Sequence, residues 1–209
     1  MPGPVPPMSD SPPSLSRRPR CERCGLPART CVCALVARVD NEVDVLVLQH
    51  PDEVGEAKGS ARLLRLSLAG CRVAVGETFE PDALLALLDG DVSGSALLYP
   101  ADTVAGTPEG SAPARPRRLV VLDGTWRKSV RMLHANPLLQ TLPRWSIAPS
   151  QPARYAALRK ARRPAQLSTL EAACAALAQI EDAPSRYEPL LAAFERFVAD
   201  RAARARGAP

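Results

Sequence analysis

The sequence predicts an α/β fold with a mainly parallel sheet flanked by helices. Two observations carry this. Short β-rich apolar runs alternate along the chain with stretches of helical spacing, and that alternation is the signature of parallel strands joined by crossover helices. At 209 residues, with 46% hydrophobic and 23% charged, the chain has the length and balance of one globular domain with a small appendage.

Each element has a local reason. Residues 1–19 hold seven prolines and predict a disordered tail. A cysteine-rich segment fills 20–34, and the main domain is expected over 35–205. Residues 43–49 are rich in Val and Leu and read as a strand. Over 56–69, Ala57, Ala61, Leu64 and Leu68 recur at helical spacing. Residues 72–76 read as a short strand. Residues 81–88 form a helix that opens on Pro81, where a missing N–H is harmless. A strand over 96–99 is stopped by Pro100, and a loop rich in Gly, Pro and Ser follows to Pro116. Residues 118–122 are a strand ending at Asp123-Gly124. Residues 126–135 are a helix that Asn136-Pro137 stops. A short strand spans 145–148, and helices cover 167–180 and 187–204. Apolar runs such as 45–48 and 119–122 are far shorter than the roughly 20 residues a membrane span takes. No apolar leader is visible, so the expectation is a cytoplasmic protein with no membrane partner.

The charge is unevenly spread. The formal net charge is +5, yet residues 124–170 hold nine basic residues and no acid: Arg127, Lys128, Arg131, Arg144, Arg154, Arg159, Lys160, Arg162 and Arg163. A solvated charged surface is one reading. A polyanion partner is the other, because each neutralised phosphate releases condensed counterions.

Cys21, Cys24, Cys31 and Cys33 fall in the order C-x2-C-x6-C-x-C. Four thiolates at such spacing predict a closed, structural zinc site. Cys71 and Cys174 read as small apolar residues. Ligands of parallel sheets bind beyond the carboxyl ends of strands, so His50-Pro51, Tyr99-Pro100 and Asp123-Gly124-Thr125-Trp126 are the candidates to line a site. Thr125 is placed to cap the next helix, and Trp126 reads either as core or as a stacking surface. Ser168 and Glu171 have capping-box spacing. Glycine-rich nucleotide loops, nucleophile elbows and H-E-x-x-H are missing.

Taken together these residues resemble a known family. Asp123-Gly124-Thr125-Trp126 is similar to the D-x-T-W signature of the DTW-domain family, the tRNA-uridine aminocarboxypropyltransferases. Further blocks follow in the family's order: Gln49-His50-Pro51-Asp52-Glu53, Lys58-Gly59-Ser60-Ala61-Arg62, Leu98-Tyr99-Pro100, the stretch 123–144, and Ser168-Thr169-Leu170-Glu171-Ala172. The resemblance implies a SPOUT-like fold with a trefoil knot. It implies S-adenosylmethionine as co-substrate and transfer of its 3-amino-3-carboxypropyl group to N3 of a tRNA uridine, giving acp3U and methylthioadenosine.

Under that reading Asp123 is the expected base for the uridine N3–H, or else orients the donor's ammonium or the uracil edge. Leu98, Tyr99, Pro100, Thr125, Trp126, Ser168, Thr169 and Glu171 are expected around the co-substrate. His50, Arg127, Lys128, Arg131, Arg159, Lys160, Arg162 and Arg163 are expected to face the tRNA. Two other readings stay open at this point: a SPOUT-like RNA methyltransferase, and a zinc-containing RNA-binding module without catalysis.

Overall fold

A computed structural model describes residues 20–56, 60–100, 115–147 and 167–207. The proline-rich tail, most of the loop to Pro116, and Arg154, Arg159, Lys160, Arg162 and Arg163 lie outside the described residues.

Among the described residues five strands form one sheet: β1 (Asp44–Gln49), β2 (Cys71–Val75), β3 (Ser95–Leu98), β4 (Arg118–Asp123) and β5 (Arg144–Trp145). Their order is β2-β1-β4-β3-β5, and every pairing is parallel. β1 and β4 are central and pair along their whole length, from Asp44 opposite Arg118 to Gln49 opposite Asp123. Both are near-continuous apolar runs because both of their faces are covered.

The two-residue alternation of side chains divides the interior in two. Val45, Val47, Leu119 and Val121 point to one side. There they meet α1 (Ala61–Ser67), α5 (Thr169–Ile180) and α6 (Pro184–Ala205). Leu46, Leu48, Val120 and Leu122 point to the other side. There they meet α2 (Pro81–Leu87), α3 (Trp126–Ala135) and α4 (Pro137–Thr141). The cysteine-rich segment docks on the first side, where Cys24 and Val32 are buried in the same core.

The expected strands and helices are present, with differences at their ends. α1 starts at Ala61, after a short 3-10 turn over 51–53 opened by Pro51; residues 57–59 of the expected helix lie outside the described residues. Asn136-Pro137 does stop α3, but Pro137 then serves as the first residue of α4, which the sequence reading treated as a plain break. α6 begins three residues earlier than expected, with Pro184 in its first turn. No helix among the described residues is long and apolar enough to cross a membrane.

The turn between α5 and α6 is anchored to the start of β1 by one carboxylate. The Glu181 side chain is fully buried. It accepts from the backbone N–H of Glu42 and Val43, each at 2.9 Å, and from Arg186 and the Tyr187 hydroxyl, each at 2.6 Å. Removing one member of such a buried set leaves the others without compensation. Glu181→Ala is expected to lower the unfolding free energy by about 3–5 kcal/mol, measured by chemical denaturation, with Glu181→Gln losing less.

Candidate active site

The carboxyl ends of β1 and β4 meet at the last pair of their ladder, Gln49 and Asp123. The two side chains lie on the same face and touch. Gln49 Nε2 donates to Asp123 Oδ2 at 2.7 Å, and Thr169 Oγ1, from the start of α5, donates to Asp123 Oδ1 at 2.6 Å. Asp123 is 6% exposed. A buried carboxylate needs donors, and here both come from neutral groups, one on each oxygen. Each oxygen keeps a further lone pair.

The N-terminus of α5 is built for this role. Ser168 caps the helix by accepting from Glu171 N at 3.2 Å, and Glu171 Oε2 accepts from Ser168 N at 2.8 Å. That closed capping box fixes Thr169, the first helical residue, against Asp123. The sequence showed the box and its place in the family block. The contact between Thr169 and Asp123 spans 46 residues and has no local signature.

Gly124 leaves room for the turn after β4. A Cβ there would come within 3.1 Å of Lys128 Cβ and 3.6 Å of His50 Cβ, so the absent side chain permits close approach. Thr125 caps α3 by accepting from Lys128 N at 3.4 Å. Trp126 follows at the first turn and is 52% exposed. It stacks on Tyr99, with ring centroids 5.2 Å apart and planes at 20°. Arg144 sits over the Tyr99 ring at 5.5 Å, and Ser146 Oγ donates to the Tyr99 carbonyl at 3.2 Å. The buried Tyr99 hydroxyl and Trp145 Nε1 have no hydrogen-bond partner among the described residues. Leu98 is half-buried and Pro100 exposed beside them.

His50 is 5% exposed and tied on every side. Its backbone N–H donates to the Asp123 carbonyl at 2.9 Å. Nδ1 accepts from Asp52 N at 3.2 Å, and Nε2 lies 3.3 Å from Glu77 Oε2. An Nδ1 acceptor puts the proton of a neutral ring on Nε2, where it can donate to Glu77. Both nitrogens are therefore engaged within the protein. Glu77 and Gln49 complete this corner, and neither stood among the expected site residues.

The acid-free stretch of sequence is not acid-free in space. Lys128 Nζ lies 2.7 Å from Glu53 and 3.4 Å from Asp52. Arg131 lies 2.6 Å from Glu77. Arg144 is buried and donates to the Leu139 carbonyl. Of the four described members of the run, Arg127 alone is exposed and lacks a carboxylate within salt-bridge distance among the described residues.

The four cysteines of the N-terminal segment converge as their spacing required. Their sulfurs all lie within 4.8 Å of one another, an arrangement that could hold a metal ion. Gly25 takes φ +69° immediately after Cys24, a conformation glycine adopts without a Cβ clash. The segment is held to the body by arginines. Arg62 of α1 donates to the Cys24 carbonyl, Arg201 of α6 to the Thr30 carbonyl at 3.1 Å, and Arg204 to the Arg29 carbonyl. Cys174, by contrast, is fully buried in the core, and burial pushes its thiol up.

Comparison with known proteins decides the kinship. The sequence model of the DTW domain matches residues 18–202. The chain belongs to the DTW domain family. It is 30% identical over 183 residues, or 84% of its length, to tRNA-uridine aminocarboxypropyltransferase 2 of Mus musculus. Identity is 29% over 173 residues to the protein of the same name in Macaca fascicularis, and 30% over 190 residues to that of Drosophila melanogaster. The chain spans 61%, 57% and 74% of those three proteins. No solved structure matches it. Asp123, Thr125 and Trp126 lie within the residues this DTW domain model matches, just where β4 ends and α3 begins.

The clamp on Asp123 is testable without any substrate. Gln49→Leu and Thr169→Val each remove one donor from a buried carboxylate and are expected to cost about 1–3 kcal/mol apiece. Both donors serve one carboxylate, so the double variant should depart from the sum of the two single losses. Equilibrium denaturation of the two single variants and the double variant checks both points.

Proposed function

We propose that this chain transfers the 3-amino-3-carboxypropyl group of S-adenosylmethionine to N3 of a uridine in tRNA, releasing methylthioadenosine. The observation that carries the reading is membership of the DTW domain family together with relatives named for this transfer, aligned over 79–88% of the chain. The site supports it with a buried carboxylate at the carboxyl edge of a parallel sheet, where α/β folds bind ligands. A SPOUT-like path with a trefoil knot is part of the proposal. Segments 101–114 and 148–166 lie outside the described residues. A tRNA substrate accords with the cytoplasmic location expected from the sequence.

The chemistry assigned to the chain is positional. Uridine N3 attacks the methionyl Cγ, the Cγ–S bond breaks, and its electron pair leaves with methylthioadenosine. Asp123, fixed by Gln49 and Thr169, takes the N3 proton on a free lone pair. Two neutral donors keep its geometry without cancelling its charge, as a general base near a weak N–H acid requires. The backbone near Leu98, Tyr99 and Pro100, at the end of β3, offers polar contacts for the co-substrate. Amides at the start of α5 suit its carboxylate.

We also assign zinc to the four cysteines, as a structural ion. The fit rests on the sulfur spacing. A tetrahedral site with Zn–S bonds of about 2.3 Å has sulfurs about 3.8 Å apart, and Cys21 to Cys33 and Cys24 to Cys31 are each 3.7 Å. Four thiolate ligands close the site to substrate.

Mass spectrometry of tRNA nucleosides from cells lacking the protein tests the main reading. Loss of acp3U, restored by complementation, is expected; unchanged acp3U overturns it. In a purified reaction the by-product should be methylthioadenosine, and S-adenosylhomocysteine would instead indicate methyl transfer. Asp123→Asn should slow turnover roughly 10²–10⁴-fold. Elemental analysis should find about one zinc per chain, with the metal lost from Cys24→Ser.

A further inference from the structure

We propose that the outward face of Trp126 is a stacking platform for a nucleobase, and that this base is the acceptor uracil of single-stranded RNA. The inference rests on the functional reading above and deepens it by naming the group that meets the RNA base.

Large indoles are seldom left in water without a reason. By spacing, Trp126 lies on the same helical stripe as Ser129 and Leu133, which are buried. It is nevertheless 52% exposed, at the first residue of α3, three residues after the last residue of β4. Its inner face is covered by Tyr99 at 5.2 Å. Tyr99 is only 4% exposed and carries Arg144 at 5.5 Å from its ring centre. The indole is thus backed by a buried ring and held parallel to it. No other ring stacks on it among the described residues. A rigid aromatic face of this kind loses little entropy when a base lands on it.

Position and charge choose the occupant. Trp126 is three residues from Asp123, across the turn that Gly124 permits. Arg127, exposed and without a carboxylate partner among the described residues, is next in sequence; Arg131, one turn further on, is exposed but paired with Glu77. Aromatic faces flanked by cations are how proteins hold single-stranded nucleic acid: stacking takes the base and the cations take the backbone. The sulfonium donor carries adenine but no phosphate, and its reacting centre is itself positive. The unpaired Arg127 favours a phosphodiester strand over that ligand. Sequence reasoning grouped Trp126 with the co-substrate; its surroundings favour the RNA.

The chain has two tryptophans. Trp145→Phe leaves Trp126 as the sole indole and removes a buried N–H that has no partner among the described residues. In this background a short oligouridylate should quench the fluorescence, whereas an abasic oligonucleotide and S-adenosylhomocysteine should not. Trp126→Ala should bind the oligouridylate roughly 5- to 150-fold more weakly with unchanged affinity for S-adenosylhomocysteine. Trp126→Phe, which keeps a ring on Tyr99, should retain most of the RNA affinity. Quenching by S-adenosylhomocysteine instead would assign the platform to adenine and overturn the proposal. So would undiminished RNA binding by Trp126→Ala. None of these readouts needs turnover: absent quenching with acp3U still formed sinks the platform alone, and quenching without acp3U sinks the transfer alone.

Discussion

The pairing of β1 with β4 is the constraint on which the molecule rests. Six residues of each strand run side by side with both faces covered. Because the side chains alternate, this one pair supplies the floor of two separate apolar layers. Its final rung is polar. Gln49 and Asp123 stand where the next apolar pair would be, and the same register that aligns the valines and leucines brings amide and carboxylate into contact. The site is the end of the core, so its geometry inherits the rigidity of the sheet.

Around that rung the protein uses neutral donors on one side and ion pairs on the other. Asp123 is held by an amide and a hydroxyl. His50, behind the same turn, is held by a backbone N–H and Glu77. Lys128 and Arg131 are tied to carboxylates from the segments after β1 and β2. These ties are partly exposed and individually weak.

The fold class, the strand order along the chain and the helix caps were legible because each has a local cause. Proline at helix starts, alternation within strands, and the Ser168 and Glu171 spacing are read within a few residues. The cysteine cluster was legible for the same reason. What escaped was non-local. Thr169 on Asp123 and Glu77 on His50 join segments far apart in sequence, and nothing near either residue announces its partner. The acid-free run misled in the same way. Counting along the chain found no acids between 124 and 170, but Glu53, Asp52 and Glu77 reach its helix through space. Trp126 could be read as buried or open because α3's periodicity does not say where the sheet ends.

The anchoring of the cysteine segment bears on the order of synthesis. Its carbonyls are gripped by Arg62 and, from the far end of the chain, by Arg201 and Arg204. A ribosome emits the thiols long before two of their three anchors. Seating of the cysteine segment on the body waits for α6 to emerge, so a nascent chain stalled before residue 201 leaves that segment untethered on that side.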